Sequence, residues 1–363
     1  MKNKTKKIAL YNPYLDTLGG GEKYIFSILE VFAEQGYEIT IFWDKNLTKE
    51  IKKYFSFSFI NKIKWFPNIF KNSNALKTLQ TLKKYDYFFY VTDGSYFFSS
   101  AKKNFIYAMV PDKKLYSRNL INQLKLTNYQ FITHSIFTKK WLDKFGIVSK
   151  VIMPYLDNKL INQKIDFSKK EKIILSVGRF FSHLHSKKQD LIIKAFKNLK
   201  NVSKKFSDYQ LVLAGGLKNE DQEYFDGLKK LARNDFSIVF KPNIKLYELY
   251  KLYELSIYFW HFAGLGVDEE KNPELVEHFG ITPLEAMASG CLTFCYSAGG
   301  PKELIANNKN GFLFSDADEL IEKMIKVDSD EVLKKEVRNN GQQFVKENFS
   351  YVVFRSKIKD SLF

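Results

Sequence analysis

The chain has 363 residues, of which 45% are hydrophobic, and its formal net charge is +17 at pH 7. This length favours two domains over one, and the hydrophobic content is typical of globular proteins with sizeable cores. No apolar run approaches the roughly 18 residues that a membrane-spanning helix requires, so we do not expect an integral membrane protein.

Lysine supplies nearly all of the positive charge. The arginines are Arg118, Arg179, Arg233, Arg338 and Arg355. Arginine is the residue that proteins prefer for bidentate recognition of phosphates and bases. Since the chain has so few arginines, we expect no nucleic-acid partner. Abundant Asn, Ile, Phe and Tyr indicate a compositional bias of the coding genome. Each lysine near anionic lipid contributes about 1 kcal/mol, so an attraction to an anionic membrane surface remains open.

The cysteines and the N-terminus both favour a cytoplasmic protein. Cys291 and Cys295 lie in one apolar run and form neither a disulfide framework nor a metal motif, which indicates a reducing compartment. The apolar run Ile8–Tyr11 ends at Asn12-Pro13. It is too short for a signal peptide and predicts a first strand.

Short apolar runs alternate along the chain with longer segments of helical period. This alternation predicts parallel sheets covered by helices on both faces, and two such series predict two Rossmann-like domains. The predicted strands are Lys7–Asn12, Ile39–Trp43, Tyr87–Val91, Asn104–Met109, Gln130–His134 and Lys150–Pro154, then Lys172–Val177, Gln210–Ala214, Ser237–Phe240, Ser256–Trp260 and Cys291–Tyr296. A polar, lysine-rich stretch at Leu156–Lys170 places the domains at residues 1–160 and 161–345.

A glycine-rich turn follows the first predicted strand. Gly19, Gly20 and Gly21 precede an amphipathic helix, where they allow a ligand to approach the backbone and its N–H groups closely. The spacing is not the dinucleotide pattern Gly-x-Gly-x-x-Gly, so we do not expect a nicotinamide cofactor. A plain strand-to-helix turn is the alternative.

Two cations meet at the carboxyl end of the first strand of the second series. Gly178 and Arg179 follow Lys172–Val177, and Lys187 and Lys188 open the next helix. Ligands bind at this edge of doubly wound sheets, and two cations there can neutralise a diphosphate leaving group. For Lys188 a solvated helix start is the alternative.

The most informative segment begins at Glu277 and contains a second carboxylate eight positions later, Glu285. Gly280 permits a tight turn, and Pro283 suits the first turn of a helix, so Glu277 is predicted in a loop and Glu285 in the helix. A helix N-terminus binds anions, and two carboxylates can accept hydroxyl groups. The segment therefore predicts a site for a sugar phosphate or a sugar nucleotide.

This segment resembles the Glu-x7-Glu motif of retaining glycosyltransferases of family 4, which have the GT-B fold. Upstream, Tyr258–Glu269 is similar to a Trp-His-x-x-Gly loop of a bacterial branch of that family. Downstream, Gly299–Ile305 and Asn310–Leu313 are similar to its closing signatures. The resemblance implies an α/β protein with two Rossmann-like domains facing across a cleft, and a final helix, residues 346–363, that can cross back to the first domain.

The resemblance also implies a role for each site residue. Glu285 would hold the ribose hydroxyls and Glu277 the sugar, while Arg179 and Lys187 would hold the diphosphate. The remaining donor-site residues are Gly19, Gly20, Gly21, Gly178, His261, His278, Phe279, Gly280, Ile281 and Thr282. For His261 and His278, a contact to the donor and a role in ordering the loop are equally open. The family implies no metal, no cofactor and no side-chain nucleophile.

The implied activity is transfer of a sugar, of the hexosyl type, from a nucleotide-diphosphate donor to a hydroxyl of a glycan or a lipid-linked glycan. A sugar-nucleotide epimerase or a phosphorylase is an alternative enzyme. A partner subunit without turnover is the alternative from another class. Its support is Met109, which stands where many relatives have a histidine, within Tyr107–Pro111.

Several other polar residues are expected to be structural. His183 and His185 lie in a loop, and nothing local gives His134 a role. Two Asp-x-Asp patterns occur, at Asp316 and at Asp328. Both are predicted to be helix-start carboxylates rather than metal ligands.

The segment Ile60–Lys71 mixes aromatic rings with lysines, and it predicts contact of the first domain with a lipid surface through Trp65 and Phe66. The alternative is a surface segment whose apolar residues pack inward.

Overall fold

The computed structural model describes residues 5–71, 74–183 and 186–363. The chain forms two compact units, Met1–Pro154 with Phe354–Phe363, and Tyr155–Val353. Each unit is built on one parallel sheet with helices between its strands, so the predicted α/β class is confirmed. The chain passes into the second unit after Pro154, whereas the sequence placed the boundary at residue 160.

The sheet of the first unit has seven strands in the order β3-β2-β1-β4-β5-β6-β7. The strands are β1 Lys7–Tyr11, β2 Glu38–Phe42, β3 Lys64–Phe66, β4 Tyr87–Val91, β5 Lys103–Tyr107, β6 Tyr129–Thr133 and β7 Ser149–Val151. The helices between them are α1 Gly20–Glu34, α2 Thr48–Tyr54, α3 Ala75–Leu82, α4 Leu120–Leu126 and α5 Ile136–Lys144. Every residue of β4 is buried, as expected for a central parallel strand that is covered on both faces.

The sheet of the second unit has six strands in the order β10-β9-β8-β11-β12-β13. Its elements in chain order are α6 Asn158–Ile161, β8 Glu171–Val177, α7 Gln189–Val202, β9 Gln210–Gly215, α8 Gln222–Ala232, β10 Ile238–Pro242, α9 Leu246–Leu255, β11 Ser256–His261, α10 Ile281–Ala288, β12 Leu292–Tyr296, α11 Pro301–Leu304, β13 Phe312–Phe314, α12 Ala317–Asp328 and α13 Glu331–Asn348. Strands β8 and β11 are neighbours at the centre, and the direction of chain progression reverses between them. This is the position at which doubly wound sheets bind ligands.

Two strands were not predicted, β3 and β13, and each has three residues. Both lie at the edge of their sheets, and β3 begins with an exposed lysine. Such short runs carry little apolar periodicity. The equally short β7 was predicted because apolar residues continue beyond it through Ile152 and Met153. The stretch Leu156–Lys170 also differs from expectation, because Leu156 and Leu160 are buried within the second unit.

The last helix, α14, spans Tyr351–Leu362, and most of it belongs to the first unit. Ile358 is fully buried, and the ring of Phe363 stacks on that of Phe32 with centroids 4.5 Å apart. Arg355 Nε donates to Glu34 Oε2 over 2.7 Å. Helix α14 thus completes the outer face of α1.

Within the described residues, no helix combines the length and the apolar character that a membrane crossing requires.

Candidate functional site

The loop that carries Glu277 leads directly into helix α10. Gly280 caps the helix with a φ of 107°, a left-handed conformation that only glycine adopts without strain. Ile281 is the first helical residue, and Pro283 lies in the first turn. Glu277 therefore precedes the helix and Glu285 lies within it, as the sequence predicts.

Two glycines hold this loop in place from the other side. The N–H of Gly300 donates to the carbonyl of Glu277 over 2.7 Å. A Cβ atom at Gly299 would lie 2.1 Å from that same carbonyl oxygen, and one at Gly300 would lie 2.3 Å from the carbonyl of Phe279. Only glycines allow the two backbones to approach this closely, so Gly299 and Gly300 fix the course of the loop.

The carboxylate of Glu277 lies between two basic side chains. Its Oε2 is 2.5 Å from Nζ of Lys187 and 3.1 Å from Nε2 of His261, although the ring nitrogen is not oriented for a hydrogen bond. Burial lowers the pKa of His261, and the neighbouring carboxylate opposes that shift. The side chains of Lys187 and Glu277 remain 15% and 16% exposed, so neither is fully buried.

Gly178 makes room for Lys187, since a Cβ atom there would lie 2.3 Å from Cγ of the lysine. The buried amide of Gln189 donates to the carbonyl of Arg179 over 2.9 Å and fixes the end of β8. The guanidinium of Arg179 lies over the ring of Phe181 at 4.3 Å and is exposed. It is therefore placed by its backbone and by a cation–π contact. Lys188 is the residue before α7, in a left-handed conformation.

His278 is buried beside Glu277 and is held by the backbone. Its Nε2 lies 3.2 Å from the carbonyl oxygen of Glu274, within hydrogen-bond distance. Burial lowers the pKa of His278 to about 4, so the ring is neutral near pH 7. These contacts favour a role in ordering the loop. The ring of Phe279 packs against that of Phe349, with the ring centroids 6.0 Å apart.

Glu285 is held by a residue from another helix. The fully buried Tyr253 of α9 donates its hydroxyl to Oε2 of Glu285 over 2.9 Å. Burial, reinforced by the charge of Glu285, raises the pKa of Tyr253 well above its ordinary value. The tyrosine is therefore a permanent donor to this carboxylate.

The three consecutive glycines Gly19, Gly20 and Gly21 differ in their surroundings. Helix α1 begins at Gly20, where an added Cβ would meet open space. An added Cβ at Gly21 would lie 2.4 Å from Sδ of Met109, so the thioether covers this glycine. The N–H of Gly19 donates to the buried carboxylate of Glu22 over 2.9 Å. Gly19 and Gly20 are both exposed and Gly21 is covered, so the backbone is open to approach at two of the three glycines, and their contact with a ligand stays a prediction.

Two aspartates of the Asp-x-Asp patterns, Asp316 and Asp330, cap the starts of helices, as predicted. Asp316 accepts from the N–H of Glu319 at the start of α12, and Asp330 accepts from the N–H of Leu333 at the start of α13. Asp328 instead accepts the hydroxyls of Tyr209 and Tyr258. In the described part of the chain, no group of three or more His, Cys, Asp or Glu side chains is arranged to hold a metal ion.

Comparison with known protein families identifies the family that the second unit resembles. A family model described as Glycosyl transferases group 1 matches residues 157–344, just over half of the chain. The chain belongs to the glycosyl transferases group 1 family.

Two curated relatives illustrate the similarity of this group 1 chain. The alpha-1,3/1,6-mannosyltransferase ALG2 of Rhizomucor pusillus is 26% identical over 223 residues, covering 52% of this chain and 45% of that protein. The mouse GDP-Man:Man(3)GlcNAc(2)-PP-Dol alpha-1,2-mannosyltransferase is 31% identical over 171 residues, covering 44% of this chain and 31% of that protein. The chain thus spans less than half the length of either relative.

A solved glycosyltransferase from Rickettsia africae ESF-5 superposes with a TM-score of 0.73 at 19% identity, covering 99% of this chain and 97% of that one. Together with the two parallel sheets, this similarity confirms the predicted GT-B fold.

Sequence reasoning missed the residues that support the group 1 site. Tyr253 lies 32 positions before its partner Glu285, and it looks like an ordinary core residue of α9. Glu269, at the end of the loop Tyr258–Glu269, accepts from the N–H of Gly299 over 2.8 Å and pairs with Lys302. Such long-range contacts leave no local pattern. His183 is exposed, and His185 lies outside the described residues.

Proposed function

We propose that this group 1 chain is a retaining glycosyltransferase of the hexosyl type, which moves a sugar from a nucleotide-diphosphate donor to a hydroxyl acceptor. The observation that carries this proposal is the carboxylate of Glu277, which pairs with Lys187, lies 3.1 Å from Nε2 of His261 and is not fully buried. In such an arrangement the carboxylate can accept a sugar hydroxyl while the neighbouring cation binds a phosphate.

Donor binding replaces the ion pair between Lys187 and Glu277 in this proposal. On donor binding, the ammonium of Lys187 turns toward the diphosphate, and the carboxylate of Glu277 accepts sugar hydroxyls in its place. Lys187 and Arg179 then neutralise the charge that develops on the leaving phosphate. The backbone amides at the start of α10, from Phe279 to Thr282, bind the same group.

Glu285 accepts the ribose hydroxyls in this proposal, and its fixed orientation favours that role because a preorganised acceptor loses little entropy on binding. His261 supports the carboxylate of Glu277, and His278 orders the loop. Gly178 supports the site by admitting Lys187. Gly19, Gly20 and Gly21 remain proposed contacts of the donor or acceptor. The proposal includes no metal or other cofactor, and it names no catalytic base.

The acceptor is proposed to be a glycan or a lipid-linked glycan. The name of the mouse relative includes a GDP-linked sugar and a dolichyl diphosphate acceptor, which is the class of substrates proposed here. We further propose a cytoplasmic protein that contacts an anionic membrane surface and binds no nucleic acid.

The test is incubation of the purified protein with labelled nucleotide sugars and with glycan acceptors. Transfer with retained anomeric configuration supports the proposal, and conversion of the donor without an acceptor would indicate an epimerase. Binding without any turnover would indicate a partner subunit. Arg179→Ala should lower turnover about a hundredfold. The matched control Arg233→Ala removes another exposed arginine of the same unit and should leave turnover unchanged.

A further inference from the structure

Helix α4 of the first unit presents its apolar side chains to solvent. Leu120, Ile121 and Leu124 are between 62% and 79% exposed, and the helix contains no buried residue. Positions 120, 121 and 124 lie on one side of a helix, so the three side chains form a continuous apolar strip. Exposed strips of this kind mark interaction surfaces.

A cavity joins this helix to α3. It has a volume of about 440 Å³. Ala75 and Thr78 of α3 line one side, Asn122 and Lys125 of α4 line the other, and Phe98 lies in the wall between them and is itself exposed. Leu76, next to the α3 wall, also faces solvent. We define the α3–α4 surface as the exposed apolar side chains on the elements that line this cavity, namely Leu76, Phe98, Leu120, Ile121 and Leu124.

The chain segments that carry the α3–α4 surface have an excess of positive charge. Asp86, Asp93 and Asp112 lie nearby along the chain, whereas residues 74–84 and 113–126 themselves contain no Asp or Glu. Their cations are Lys77, Lys83, Lys84, Lys113, Lys114, Arg118 and Lys125. A surface that combines exposed aliphatic side chains with an excess of cations is complementary to a membrane with anionic headgroups, because the apolar groups enter the interface and the cations remain at the phosphates.

We propose that the α3–α4 surface docks the protein on an anionic lipid surface. This assigns a location to the membrane contact of the proposed function. It differs from the segment expected from the sequence, Ile60–Lys71. There, Trp65 lies in strand β3 and donates its indole N–H to Thr48 over 3.0 Å, so it is not available to the lipid. Phe66 is exposed but lies alone in that strand.

The first test places a fluorescent reporter on the surface. Cys291 and Cys295 are both buried, so a single new surface cysteine can be labelled selectively. Leu124→Cys carrying an environment-sensitive dye should show a blue shift with vesicles that contain anionic lipid. Val148→Cys, a control position that is 86% exposed in the same unit, should show none. Equal shifts at both positions would overturn the assignment.

The second test measures co-sedimentation with the same vesicles. Leu120→Ser, Ile121→Ser and Leu124→Ser combined should weaken binding about tenfold or more, and about 0.5 M salt should release the wild-type protein. Phe66→Ser is the competing variant and should bind normally. Loss of binding in Phe66→Ser alone, equal binding to neutral vesicles, or a dimer that only the triple variant dissociates would each contradict the proposal.

Failure of this proposal is separable from failure of the proposed enzyme activity. The triple variant should transfer sugar to a water-soluble acceptor at the wild-type rate, because none of its substitutions lies among the proposed donor contacts. A wild-type protein that transfers sugar but does not bind anionic vesicles overturns the docking surface and leaves the activity standing.

Discussion

Glu285 is placed by a chain of contacts that passes through Tyr253. The carbonyl of Tyr253 accepts from Nζ of Lys170 over 3.1 Å, and the same ammonium donates to the carbonyls of Ser256 and Ser289 over 2.8 Å each. Burial lowers the pKa of Lys170. One cation thus connects the end of α9, the start of β11 and the end of α10. The tyrosine hydroxyl that meets Glu285 is consequently held by a rigid support.

We expect Tyr253→Phe to weaken the binding of a nucleoside diphosphate about tenfold, because Glu285 loses the hydrogen bond that orients it and bonds to charged groups contribute roughly 1.5–3 kcal/mol. Calorimetry measures the affinity. The matched control is Tyr258→Phe, since Tyr258 donates to another carboxylate of the same unit, Asp328, over 2.8 Å.

The effect of Tyr253→Phe should depend on the ribose. With a 2′,3′-dideoxy nucleoside diphosphate, the wild type and the variant should bind equally, because the hydroxyls that Glu285 accepts are missing. A loss of equal size with both nucleotides would assign Tyr253 a structural role only.

A second residue-scale prediction concerns pH. The pKa of His278 is about 4 in the folded protein and 6.5 when exposed. Between these values the unfolded chain binds a proton that the folded chain does not, so stability falls as pH drops from about 6.5 to 4, by about 3 kcal/mol for this group. His278→Gln should flatten the pH dependence of the free energy of unfolding by that amount, as measured by urea titration at several pH values. An unchanged pH dependence of the free energy of unfolding would mean that His278 takes up a proton equally in the folded and the unfolded chain.

At the scale of elements, the site depends on close contact between the Glu277 loop and the turn before α11. Gly299 has a φ of 59°, and its missing Cβ leaves room for the carbonyl of Glu277. We expect Gly299→Ala to cost about 2–4 kcal/mol of folding free energy and to displace the loop. Chemical denaturation and donor binding are the two measurements.

Gly266→Ala is the matched control for this substitution. Gly266 also has a positive φ, 78°, but an added Cβ would have no neighbour within 4 Å. It should therefore cost only about 1 kcal/mol, from backbone strain alone. Similar losses in the two variants would show that overlap with the carbonyl of Glu277 is unimportant.

The elements show how far the sequence could be followed. Strands such as β4 and β8 were predicted because they are continuous apolar runs, and the turn into α10 was predicted because Gly280 and Pro283 have strong local preferences. Strands β3 and β13 were missed because each has only three residues and no apolar run extends beyond it, as one does beyond the equally short β7. Those partners of Glu277 and Glu285 that belong to a family motif could be named from the sequence. Tyr253 and Lys170 belong to no motif, and only the folded chain brings them to the site.

At the scale of the whole molecule, the chain leaves the first unit at Pro154 and returns to it at Phe354. We expect Ile358→Ala, a truncation at a fully buried position of α14, to destabilise the first unit by about 2–4 kcal/mol. Hydrogen exchange should quicken in α1 and the strands beside it, while the strands of the second unit keep their protection. Lys359→Ala, at an exposed position one residue later, is the control and should change neither. Equal loss of protection in both sheets would indicate that the units unfold as one.

The return of α14 also has a consequence for synthesis on the ribosome. Phe363 packs on Phe32, and Arg355 pairs with Glu34. The outer face of α1 can therefore be covered only after about 320 further residues have been translated. During that interval the whole of the second unit can emerge and fold, whereas the first is still missing a helix. A nascent chain halted before residue 354 would therefore expose an aromatic surface that chaperones bind, and the unit whose translation begins first would be the last to reach its native state.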